Sequence, residues 1–132
     1  MTLRDFNDSE FCQSLVRLGL LQAKDAERAI RASKSSGTQI ERTILELSLA
    51  SETCVYEEIA KWLELDFTRQ PEIDAEFIGS LSLQRTFMEK AEVVPISKTE
   101  QGEIVVLSAN PRMQDTLNTL AFHFSCSISP IM

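Results

Sequence analysis

The chain has 132 residues, of which 43% are hydrophobic and 25% are charged, and its 20 acidic side chains outnumber the 13 basic ones. Such a chain can bury a real core, and its composition excludes disorder and collagen-like structure. The net charge of -7 opposes generic binding to nucleic acid or to an anionic membrane. Because neither a signal-peptide pattern nor an apolar run of about 20 residues occurs, we expect a cytoplasmic protein without direct membrane insertion.

The apolar pattern of the first half repeats after 29 residues. In the first copy it predicts a helix over Ser9–Leu18, a break at Gly19, and a second helix over Ala23–Ser35 that ends at Ser36-Gly37. Each of these two helices is followed by residues that tolerate a tight turn, so the first copy is predicted to be a helical hairpin. The pairs of equivalent apolar residues are Phe11 and Ile40, Leu15 and Ile44, Val16 and Leu45, Leu18 and Leu47, Leu20 and Leu49, Ala26 and Val55, and Ile30 and Ile59.

The second copy predicts a helix over Thr38–Leu47, a break at Ser48, and a helix over Glu52–Leu63 that Ser51 caps. Cys54, Val55, Ile59 and Trp62 are expected to face inward. A single hairpin cannot bury its apolar stripe alone, so the two copies should pack together. The sequence therefore predicts a helical lobe over residues 1–65, with repeats at about 9–36 and 38–65.

The second half begins with a predicted extended connector over Leu65–Pro71. A short helix is predicted over Asp74–Leu81, and Leu83–Met88 is expected to continue it after a break at Gly79-Ser80.

Strand patterns follow over Val93–Ile96, with Pro95 at a sheet edge or a strand end, and over Glu103–Ser108. Asn110 is expected to cap a helix with Pro111 in its first turn, and a last strand is predicted over Ser127–Ile131. Residues 66–132 are therefore predicted to form a small mixed sheet with flanking helices, which we expect to be truncated at its C-terminal end. The fold class is α+β.

The sequence offers no catalytic, cofactor-binding or metal site. It has no P-loop pattern, and its only histidine, His123, lies between two phenylalanines. Cys12, Cys54 and Cys126 are too far apart for metal-ligand spacing and are expected to be small buried hydrophobic residues. We therefore expect the chain itself to have no enzymatic activity.

One charged pattern is a candidate partner-binding site. Lys24, Arg28, Arg31 and Lys34 follow helical spacing within an acidic chain. They form either a solvated helix face or a docking stripe for an acidic partner. Tyr56 and Trp62 are candidate interface anchors, although helical spacing favours a core position for Trp62.

Several segments resemble the N-terminal domains of type II secretion and type IV pilus assembly ATPases, the general secretion pathway protein E family. The opening Leu18-Gly19-Leu20-Leu21 frame, with Ala26 and Ile30 after it, is similar to the start of that domain. The later segments that share its order and spacing are Glu92–Ile96, Gly102–Pro111, Leu117 with Leu120, and Ile128–Ile131. The resemblance covers about Ser9 to Ile131.

This resemblance implies a regulatory and docking domain that binds the cytoplasmic domain of an inner-membrane platform protein. It would recruit a hexameric motor, whose nucleotide site lies further along the parent chain. The domain would then be cytoplasmic and peripheral to the inner membrane through its partner. The resemblance leaves open a second use of the same scaffold, as an accessory domain of a glycosyltransferase.

Some members of the family bind cyclic di-GMP through a duplicated motif that begins Arg-Leu-Gly, keeps a central Gly and ends in Gln. The first copy has Glu10-Phe11-Cys12 where the motif has Arg-Leu-Gly, and Ser33 where the motif has the final Gln. The second copy has Gln39-Ile40-Glu41 at the Arg-Leu-Gly positions, Ser48 at the central Gly and Trp62 at the final Gln. A carboxylate in place of a guanidinium repels a phosphate. We therefore predict no cyclic di-GMP binding at micromolar concentrations, and sensing of this nucleotide is the alternative function.

Overall fold

The computed structural model describes residues 3–132. In this part of the chain, helices and strands follow in the order α1 (Asp8–Arg17), α2 (Ala23–Ser36), α3 (Ile40–Glu46), α4 (Glu52–Trp62), α5 (Ala75–Ser80), α6 (Arg85–Ala91), β1 (Val93–Lys98), β2 (Ile104–Ser108), α7 (Gln114–Phe124) and β3 (Ile128–Ile131). The four N-terminal helices form one lobe, and the sheet with its helices forms the other. The predicted α+β class is confirmed.

The predicted repeat is visible in the backbone hydrogen bonds that end α1 and α3. At the end of α1, the amide of Leu20 donates to the carbonyl of Leu15 at 3.0 Å, and 29 residues later Leu49 donates to Ile44 at 3.1 Å. This is the bond pattern of a Schellman motif, which closes a helix through one residue of positive φ. That residue is Gly19 in the first copy, with φ +75°, and Ser48 in the second, with φ +55°.

The boundaries of the four N-terminal helices differ from prediction by at most two residues, and local capping explains the start of α1. The first helix starts at Asp8 because the side chain of Asn7 accepts from the amide of Glu10 at 3.0 Å. The predicted cap at Ser51 is confirmed, since its Oγ accepts from the amide of Cys54 at 3.2 Å. The third helix starts at Ile40, and its flanking Gln39 makes no side-chain capping bond.

The core of the helical lobe consists of the repeat-equivalent apolar residues. Phe11, Leu15, Ile40, Ile44, Val55 and Ile59 are each at most 1% exposed. Of the predicted inward stripe of α4, Val55 and Ile59 are buried and Trp62 packs against the core, whereas Cys54 is only half-buried. Ala60 and Leu63 complete the buried face instead.

The sheet has the order β1-β2-β3 and mixed direction. Strands β1 and β2 pair antiparallel, with Val93 opposite Ser108, whereas β2 and β3 pair parallel, with Ile104 opposite Ile128. The prediction that Pro95 lies on an edge strand is confirmed, and the register shifts between Pro95 and Ser97. The connector adds to the far side of β3, because Met132 accepts from the amide of Thr68 at 2.7 Å and donates to Asp66 at 2.9 Å.

Two predicted helix starts in this lobe were wrong. Gly79 and Ser80 do not break the short helix but lie within α5, and α6 begins separately at Arg85. Asn110 does not cap α7, because its Oδ1 accepts from the amide of Arg112 at 2.9 Å and closes a local turn. Such a turn competes with a helix cap, so α7 begins only at Gln114.

Within residues 3–132, no helix has both the length and the hydropathy that a membrane crossing requires.

Candidate interaction surfaces

The outer side of α2 carries four cations, which we call the cationic face: Lys24, Arg28, Arg31 and Lys34. All four are exposed, while Ala26, Ala29 and Ser33 on the opposite side are buried. At 1.5 Å per residue the face runs for roughly 15 Å along the helix. None of the four makes an ion pair with another residue of 3–132. The structure therefore brings the predicted residues together on one exposed surface.

A charge cluster that the sequence did not reveal connects the two lobes. Arg112, in the loop before α7, donates from Nη1 to both carboxylate oxygens of Glu41, at 2.8 and 3.2 Å. Its Nη2 donates to Oδ1 of Asp8 at 2.8 Å. The Glu41 side chain is 2% exposed, so this charge is buried and needs its partner. Burial alone would lower the pKa of Arg112, but Glu41 and Asp8 outweigh it and raise the pKa.

The segment before α1, residues 3–7, lies across both lobes, and we call it the N-terminal strap. The amide of Leu3 donates to Oε1 of Gln114 in α7 at 2.7 Å. The ring of Phe6 lies 5.0 Å from that of Phe11 and 6.5 Å from that of Trp62. The indole of Trp62 also donates to the carbonyl of Asp5 at 3.2 Å. Trp62 is thus held by intramolecular contacts.

The positions of the Arg-Leu-Gly motif lie at the first turns of α1 and α3. Glu10 is exposed in α1, and Glu41 is the buried partner of Arg112. Ser33 stands at one of the Gln positions and is also hydrogen-bonded within the chain, since its hydroxyl donates to the carbonyl of Thr38 at 2.5 Å. The second-copy position that is glycine in the motif is therefore filled by an internal ion pair.

The cysteines and the histidine do not form a site. Cys12 is fully buried as expected, and burial, followed by the charge of Asp8, raises the pKa of its thiol to about 11. The expectation was wrong for Cys54 and Cys126, which are half-buried. His123 lies on the exposed side of α7. Within residues 3–132, no group of three or more His, Cys, Asp or Glu side chains could hold a metal ion.

The fold has known relatives among solved structures. The structure of MshE with cdg (cyclic di-GMP) has a TM-score of 0.76 and 16% identity over 96% of this chain and 89% of that chain. The N-terminal domain of XpsE has a TM-score of 0.69 and 19% identity over 97% of this chain and 89% of that chain. A second crystal form of that domain gives a TM-score of 0.52 at 19% identity, over 99% of this chain and 90% of that chain. None of the curated proteins matches the chain.

A helical lobe followed by this small mixed sheet is the fold that the chain shares with these domains, and the sequence-based recognition of an N-terminal domain of type II secretion and type IV pilus ATPases is confirmed. The MshEN domain profile matches residues 63–132, which is more than half of the chain. The chain belongs to the MshEN domain family.

Proposed function

We propose that this domain docks the parent ATPase onto the cytoplasmic domain of an inner-membrane platform protein, and that the cationic face of α2 makes the contact. The observation that carries the proposal is the exposure of four cations along one helix without ion pairs in residues 3–132. An acidic partner surface would complement this face and steer the encounter. The domain class supports a role as a module of a secretion or pilus motor.

The charge distribution also supports a protein partner over nucleic acid. The chain as a whole carries a net charge of -7, so its field repels a polyanion. A short cationic surface within that field suits a partner that presents a local acidic patch. In this proposal the domain is cytoplasmic, is held at the inner membrane through its partner, and belongs to a hexameric parent.

A titration of this chain against the cytoplasmic domain of the platform protein from the same genome tests the proposal. The double variant Arg28→Glu/Arg31→Glu should weaken binding at least tenfold and reduce its salt dependence. The matched control is Lys90→Glu/Lys98→Glu, which makes the same change in net charge at two exposed lysines of α6 and β1. If both double variants bind the partner as the unmodified chain does, α2 is not the docking surface.

Sensing of cyclic di-GMP is a second candidate, favoured by the structural likeness to MshE with cdg. Three observations oppose this candidate. Glu10 replaces a motif residue in the first copy, Glu41 replaces one in the second, and Arg112 already forms an ion pair with the carboxylate of Glu41. A dianionic ligand would meet an exposed carboxylate at Glu10 and a buried, internally paired one at Glu41. We propose that the chain does not bind this nucleotide, so calorimetry at micromolar concentrations should give no saturable heat. A saturable isotherm would establish the sensor function instead.

A further inference from the structure

A groove lies between the lobes, on a different part of the molecule from the cationic face. It has a volume of about 580 Å³ and runs between α4, the connector, α6 and the ends of the strands. Its apolar wall includes Tyr56, Phe67, Met88, Val94, Leu107 and Met132. The volume is within the range of about 300–1,000 Å³ that is typical of ligand sites.

The apolar surface continues beyond this groove. Met88 also lines a neighbouring hollow, together with Ile78 and Leu83 from the α5–α6 region. The two hollows therefore adjoin at Met88, which lines both. Two adjoining hollows suit a stretch of polypeptide that places a side chain in each.

The rim of the groove carries an excess of negative charge. Among residues 3–132, the charged residues that line it are Glu52, Glu89 and Glu92 and the cation Arg69. Glu89 pairs with Arg85, Glu92 with Arg42 and Arg69 with Glu57, so Glu52 is the carboxylate of the rim that has no ion pair within residues 3–132.

The electrostatic environment of Tyr56 agrees with an acidic rim. Burial, followed by the carboxylates of Glu41, Glu92 and Glu52, raises the pKa of the Tyr56 hydroxyl, and only Arg42 acts in the opposite direction. That hydroxyl has no hydrogen-bonding partner in the described part of the chain. It is therefore available to a bound backbone or side chain at the wall of the groove.

We propose that this groove binds a segment of a partner protein that inserts apolar side chains and flanks them with lysine or arginine. A second copy of the chain does not supply such a segment through its cationic face, because the exposed side of α2 is polar. The N-terminal strap does not supply it either, because Phe6 is packed against Phe11 and Trp62. The proposal does not depend on docking through α2.

Two-dimensional NMR of the labelled chain, titrated with an amphipathic Leu/Lys peptide, tests the proposal. Saturable shifts should centre on Tyr56, Met88 and Val94. A Leu/Glu peptide tests the charge preference, and a Ser/Lys peptide of equal charge tests the need for apolar side chains. Both should bind at least tenfold more weakly.

The variant Met88→Glu separates insertion from charge attraction, because it adds a negative charge while it blocks the apolar wall. It should weaken Leu/Lys binding at least tenfold, whereas binding driven by charge alone would strengthen. The matched control Phe122→Glu adds the same charge at a side chain that is 89% exposed on α7, and it should bind normally. Glu52→Gln, which keeps the size of the side chain, should weaken binding severalfold.

Three results would overturn the proposal: shifts spread over the whole surface, equal binding of the Ser/Lys peptide, or unchanged binding by Met88→Glu. If Met88→Glu does not fold, Glu52→Gln decides, and unchanged affinity in that variant overturns the proposal. Unchanged platform-protein binding by the α2 variants would rule out docking through α2 without affecting any of these readouts, so the two proposals fail separately.

Discussion

The guanidinium of Arg112 meets the carboxylate of Glu41 across 71 residues of sequence, with Nη1 at 2.8 Å from one oxygen and 3.2 Å from the other. The carboxylate belongs to α3 in the helical lobe, and the guanidinium belongs to the loop that leads into α7. Asp8 at the start of α1 binds the second nitrogen, so one side chain joins three segments.

Removal of this arginine should destabilise the protein strongly. Arg112→Met leaves Glu41 buried without its partner, and we expect a loss of about 3 kcal/mol in the free energy of unfolding, measured with urea. The double variant Glu41→Leu/Arg112→Met removes the buried charge and should recover most of that loss. The control Arg85→Ala breaks an exposed pair with Glu89 and should cost at most about 0.5 kcal/mol. Equal losses for Arg112→Met and Arg85→Ala would contradict a special role for the buried pair.

Truncation of Phe6 should release the N-terminal strap. The ring packs on Phe11 and Trp62 and lies 4.9 Å below the guanidinium of Arg112. Phe6→Ala should cost about 2 kcal/mol, which is less than a fully buried phenylalanine because the ring is half-buried. Since Trp62 is the only tryptophan, its fluorescence should shift to the red as water reaches the indole. Phe122→Ala is the control, and both its stability and its emission should stay unchanged.

The left-handed residue of the second repeat offers a stabilising substitution. Ser48 has φ +55°, a conformation that costs a residue with a Cβ about 1 kcal/mol, while its equivalent Gly19 adopts +75° without that cost. Ser48→Gly should therefore raise the thermal midpoint by a few degrees, and Gly19→Ala should lower it. Gly79→Ala should also raise it, because this glycine lies in α5 and no atom lies within 4 Å of the added Cβ. A lower midpoint for Ser48→Gly would refute this account of the repeat.

The buried thiol of Cys12 should make stability fall at alkaline pH. Its folded pKa of about 11 is above the ordinary value of 9.0, so the folded state disfavours the thiolate. Below pH 9 the thiol is neutral in both the folded and the unfolded state, so its burial does not lower the free energy of unfolding through ionisation. As the pH rises from 9 to 11, only the unfolded chain loses the proton, and up to about 2–3 kcal/mol of stability is lost.

Urea unfolding at pH 8, 9, 10 and 11 checks this slope, and Cys12→Ala should flatten it. Thiol labelling offers a second readout at pH 8. Cys54 and Cys126 should react in the native protein, and Cys12 should react only after unfolding. Rapid native labelling of all three thiols would show that Cys12 is not buried in solution.

The elements that the sequence predicted well are those that local pattern determines. The repeat of apolar residues fixed the hairpins, because Leu15 and Ile44 must both face the same core, and the turns at Gly19 and Ser48 followed from it. The mixed sheet was predicted because Val93–Ile96 and Ile104–Ser108 have clear strand character. Short helices were predicted less accurately, because Asn110 can close its own turn as readily as it can cap a helix.

Contacts between distant segments could not be predicted in the same way. Glu41 follows Ile40 within an apolar stripe, and a carboxylate there was a sign of a buried charge in need of a partner. Nothing in the sequence indicated that this partner would be Arg112. The groove beside Tyr56 was equally hidden, because it is formed by α4, the connector and the sheet together.

The two hydrogen bonds between Met132 and the connector have a mechanical consequence. Asp66 and Thr68 lie where the chain passes from the helical lobe to the sheet, which is where a hinge would be expected to bend. Because both are bonded to the residue that follows β3, a rotation about that point must first detach the connector from the sheet. These two bonds therefore oppose rotation of the helical lobe against the sheet at this point of the chain.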